Sequence, residues 1–65
     1  MPDEEVAARF LDDLDIDVPA GSLEQQLGWL DEVGRDLERW GLEEFQLIPL
    51  RAGLAALRRV LEARG

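Results

Sequence analysis

This sequence contains no His, Cys, Lys, Tyr, Thr or Asn, and its only side-chain hydroxyl is Ser22. General acid–base and nucleophilic catalysis draw mostly on His, Cys, Lys, Tyr and Ser. Carboxylates, arginines and one serine remain, which argues against an enzyme, and no cofactor is expected. Without Cys or His, neither a disulfide nor a zinc site can form. No apolar run approaches the ~20 residues of a membrane-spanning helix. The opening stretch Met1-Pro2-Asp3-Glu4-Glu5 is acidic where a secretory leader would be basic. The expected setting is cytoplasmic, without membrane association.

What is present describes a single small acidic helical domain, residues 1–65. A domain this short buries only about 60% of the surface its unfolded chain exposes, so its stability is marginal. Small scaffolds usually add disulfides, a metal or oligomerisation; here association is the economical solution. The chain is 46% apolar with twelve leucines, which argues against disorder despite the charge. The net charge of −8 is unevenly placed. Residues 1–48 hold fourteen acids against Arg9, Arg35 and Arg39, net −11. Residues 49–65 hold Arg51, Arg58, Arg59 and Arg64 against Glu62, net +3. Most of such a chain repels a polyphosphate, so direct nucleic-acid binding is disfavoured.

Three amphipathic segments follow from periodicity. Val6, Ala7, Phe10, Leu11 and Leu14 recur at helical spacing from Asp3 to about Leu14. The run Asp15-Ile16-Asp17-Val18-Pro19-Ala20-Gly21 breaks that helix into a loop. Ser22-Leu23-Glu24-Gln25 is a capping box and marks the second helix. On it Leu23, Leu27, Trp29, Leu30, Val33, Leu37 and Trp40 cover a face roughly 160° wide, and Gly41 fits its C-terminal cap. Leu42 to Leu47 reads as one short helical turn, with Ile48 extended before Pro49 and Pro49 opening the last helix. There Leu50, Leu54, Leu57 and Leu61 form a narrow seam like two heptads of a coiled coil.

One motif in the first loop resembles the calcium loop of EF-hand proteins. Asp13, Asp15, Asp17 and Glu24 fall at positions 1, 3, 5 and 12, between two predicted helices. The departures are substantial: Val18 replaces the pivotal glycine, Pro19 and Ala20 follow it, and no second loop exists. The simpler reading is a solvated helix end and a polar turn. Gly21-Ser22-Leu23 is similar to the Asp-Ser-Leu of acyl carrier proteins over three residues only. Gly21 replaces the aspartate there, and the capping box accounts for Ser22. The pairs Asp12/Asp13 and Glu43/Glu44 point about 100° apart on a helix, which suits solvated surface better than shared proton chemistry.

Partner-binding candidates are apolar and basic. Trp29 and Trp40 lie on one side of the second helix, ~16 Å apart. They either close the core or anchor a partner, a role in which Trp is enriched. Gln26 is the one strongly polar residue inside that apolar arc. Leu50, Leu54, Leu57 and Leu61 form the second candidate surface. Arg51 and Arg58 beside them either neutralise the acidic helices of the same chain or select an antiparallel copy.

The expected fold is all-α: a small three-helix bundle with a short extra helical turn before the last helix. Its core would hold Phe10, Leu14, Trp29, Leu30, Val33, Leu37, Leu54, Leu57 and Leu61. The apolar arc of the second helix is wider than two neighbours need, so a homodimer or docking on a larger protein is expected. The function this implies is a non-catalytic protein–protein interaction module, such as an adaptor, docking domain, accessory subunit or small inhibitor, whose acidic surface selects a basic partner. The alternatives are a calcium-responsive helical module using the Asp13–Glu24 loop, and an acidic inhibitor that mimics nucleic acid in a DNA-binding protein's groove.

Overall fold

The computed structural model describes residues 2–64 and contains three helices: α1 (Asp3–Leu14), α2 (Leu23–Arg39) and α3 (Glu44–Arg64). Each boundary has a local cause. Asp3, Glu4 and Glu5 place negative charge in the first turn of α1, where the helix dipole is positive. Asp15 ends α1 in the left-handed conformation, with φ 55°. The Ile16 amide then donates to the Leu11 carbonyl at 3.0 Å, closing the wide six-to-one turn of a Schellman end. The capping box of α2 is complete. Ser22 Oγ accepts from the Gln25 amide at 3.2 Å, and Gln25 Oε1 accepts from the Ser22 amide at 2.9 Å. Gly41, at φ 69°, follows Trp40 at the end of α2.

The short turn expected before the last helix is present, but it is continuous with that helix. Pro49 lies inside α3 rather than at its start, and Ile48 is helical, not extended. A helical proline removes one hydrogen bond and crowds the carbonyl four residues earlier, here that of Phe45. Three features hold the helix through it. The Glu43 amide is capped by Gln46 Oε1 at 2.9 Å. Leu47 is buried on one side of the proline, and Leu50 packs against the core on the other.

α3 is the hub. Both α1 and α2 pack closely on it, and their backbones do not approach each other as closely. The core comprises Ala7, Phe10, Leu30, Leu37, Ala56, Leu57, Val60 and Leu61. Trp29, Val33, Leu14 and Leu54, expected fully inside, are only partly buried against it. The cause is the wider third side: with the backbones of α1 and α2 set apart, the outer edge of each apolar stripe stays open. Small residues replace them at the centre. Gly53 sits so close to Phe10 that a Cβ there would lie 2.6 Å from its Cδ1 and 2.7 Å from its Cβ, so this glycine sets the approach of α1 to α3.

Candidate functional site

The arginines of α3 tie the three helices together. Arg51 reaches Glu38 of α2 at 3.1 Å and Glu44 at 2.9 Å. Arg58 pairs with Asp31 of α2, and Arg59 grips Asp3 of α1 through two bonds of 2.8 and 2.9 Å. The hydrogen bonds donated by Arg59 hold the Asp3 carboxyl below its ordinary pKa, and those that Arg51 donates to Glu38 and Glu44 push its guanidinium above its own. Of the two roles weighed for Arg51 and Arg58, the structure places both on acids of the same chain.

The leucine seam divides. Leu57 and Leu61 are core residues, which corrects their assignment to a partner surface: they face the other helices of this chain. Leu50 and Leu54 are half-buried at the margin. Trp29 also packs on the core edge, whereas Trp40 remains 58% exposed at the end of α2. Gln26 is occupied locally, its Nε2 donating to the Pro19 carbonyl at 3.0 Å, so it fixes the incoming loop to α2.

The calcium reading finds no preformed site. Among the described residues, no three acidic side chains gather as metal ligands. Asp13 lies in the last turn of α1, Asp15 is its left-handed cap, Asp17 lies in the loop and Glu24 is in the first turn of α2, all exposed. Ile16 and Val18 pack toward the core between them. The Pro19 carbonyl is turned to Gln26. Among the described residues no polar or charged side chain is buried, and no helix is long and apolar enough to cross a membrane.

The most exposed apolar surface lies where the α2–α3 turn meets α3. Phe45 is 72% and Ile48 60% exposed, and Trp40 stands nearby in sequence. Phe45, Ile48, Pro49 and Ala52 follow the i, i+3, i+4, i+7 spacing of one helix face, and all four are exposed. Beside them a groove of about 460 Å³ runs between α1 and α3, lined by Val6, Phe10, Pro49, Leu50, Ala52 and Gly53. Arg9 and Asp13 also line it. The sequence reading missed Phe45 and Ile48 because it stopped the helix at the proline. The signal was there: the four-residue stripe is visible once the period is carried through Pro49. No protein-family model, curated protein or solved structure matches this chain.

Proposed function

We propose that this chain is a non-catalytic protein–protein interaction module whose binding surface centres on Trp40, Phe45 and Ile48. The observation that carries this reading is the exposure of three large apolar side chains between the end of α2 and the first turns of α3, in a sequence of 65 residues. Burying a side chain of the Phe or Ile class stabilises by about 1.5–3 kcal/mol, and most of that remains unrealised at Phe45 and Ile48 in the free chain. Exposed large apolar side chains clustered in sequence in this way suit an interaction site, and Trp is enriched at interface hot spots.

The acidic charge has a separate part in this reading. Asp12, Asp15, Asp17, Glu24, Glu32 and Asp36 make no ion pair among the described residues and spread over the end of α1, the loop and α2. They favour encounter with a basic partner and set its orientation, an effect that fades with salt. A photoreactive phenylalanine analogue in place of Phe45 tests the proposal in the native cell. Discrete adducts from position 45, and none from the same analogue at Glu32, are expected. Equal or absent labelling at the two positions would contradict an interaction surface centred on Phe45.

A further inference from the structure

We infer that the exposed face of α3 and the adjoining α1–α3 groove form a self-association surface, on which two copies of this chain meet about a twofold axis. The inference rests on the interaction reading and assigns this apolar face to a second copy, leaving the acidic loop and outer face of α2 to a basic partner. Phe45 and Ile48 project from the same helix face as Pro49 and Ala52, and those two residues also line the groove. One surface therefore carries an apolar projection beside an apolar recess. An isologous contact sets each projection into the recess of the other copy.

The charge at this face does not select a basic protein, and it offers a second copy one complementary pair. The chain carries −8, yet the charges near the groove largely cancel. Arg9 and Asp13 both line it, and Arg51 is paired with Glu44 and Glu38. Glu43, next to the stripe, makes no ion pair among the described residues, and neither does Arg9. Entry of Phe45 into the second copy's groove carries Glu43 toward that copy's Arg9, twice by symmetry. The excess acid lies elsewhere, on the loop and α2. At physiological salt the Debye length is ~8 Å, so copies meeting here feel little of each other's net charge.

The test is molar mass by light scattering across about 1–500 µM, spanning the micromolar affinities open to a small interface, with helicity followed by circular dichroism. The wild-type chain should rise with concentration toward twice 7.3 kDa. Phe45→Glu, Ile48→Glu and Arg9→Glu should each raise the dissociation constant about tenfold or more at unchanged helicity. Phe45→Ala decides in the same direction should Phe45→Glu lose helicity. A wild-type chain monomeric throughout overturns self-association, while adducts from position 45 still decide the broader interaction reading. A dimer that survives Phe45→Ala and Ile48→Glu overturns the assigned face.

Discussion

Two glycines on the helices of this chain have opposite predicted effects when replaced by alanine. At Gly53 a methyl group would meet Phe10 at 2.6–2.7 Å, including its Cβ, which moves only if α1 moves. Overpacking of this kind costs about 1–3 kcal/mol, more than the ~1 kcal/mol alanine gains in helix propensity. Gly53→Ala should therefore lower the melting temperature. Gly28 has nothing within 4 Å of an added Cβ and is exposed in mid-helix, so Gly28→Ala should raise stability by about 1 kcal/mol. Thermal melts of the two variants check both signs. The Arg59–Asp3 pair makes a prediction in pH. Because the folded-state pKa of Asp3 is lowered from 3.8, the pair's contribution is complete above that value and is lost as pH falls through the lower folded value. An NMR titration of the Asp3 carboxyl should return toward 3.8 in Arg59→Ala.

Among the elements, α3 most needed tertiary context to be read. Helix existence and type, the Ser22–Gln25 box and the Gly41 cap were legible because each is a local pattern with one physical solution. Pro49 was not, because its local preference and its tertiary environment disagree. Alone, Ile48-Pro49 favours extended chain before a new helix; anchored by Leu47 and Leu50 on the core side, the helix runs through it. This separates two outcomes for Pro49→Ala. In a continuous helix the new amide can donate to Phe45, and the gain of about 1 kcal/mol or more outweighs the unfolded-state entropy that proline removes. At the first position of a helix the same change would be neutral or destabilising. A denaturant melt should show the gain. The partner surface was half legible for the same reason. Trp40 was visible as an aromatic at the edge of α2, whereas Phe45 and Ile48 acquire a common face only when α3 is unbroken. Leu57 and Leu61 had the spacing of an interface seam, but intramolecular and intermolecular helix contacts share that spacing, and only the packing of α1 and α2 on α3 assigns them inward.

For the whole molecule, the arrangement is a hub helix with two flanking helices that leave one face of it open. Its charge is divided likewise: arginines of α3 hold the three helices together, and unpaired acids crowd the loop and α2. The proposed association through the open face would bury apolar surface between two chains of like net charge. Raising sodium chloride from about 50 to 500 mM shortens the Debye length severalfold and should leave the dimer unchanged or tighter. A contact carried by acid–base attraction would weaken instead, and sedimentation equilibrium at the two salt concentrations distinguishes them. The most direct measurement is a dilution series of amide NMR spectra of the wild-type chain. The account predicts concentration-dependent shifts confined to residues 6–13 and 43–53, the two walls of the groove and the stripe beside it. Shifts confined to the loop and the outer face of α2, or none at all, would contradict it.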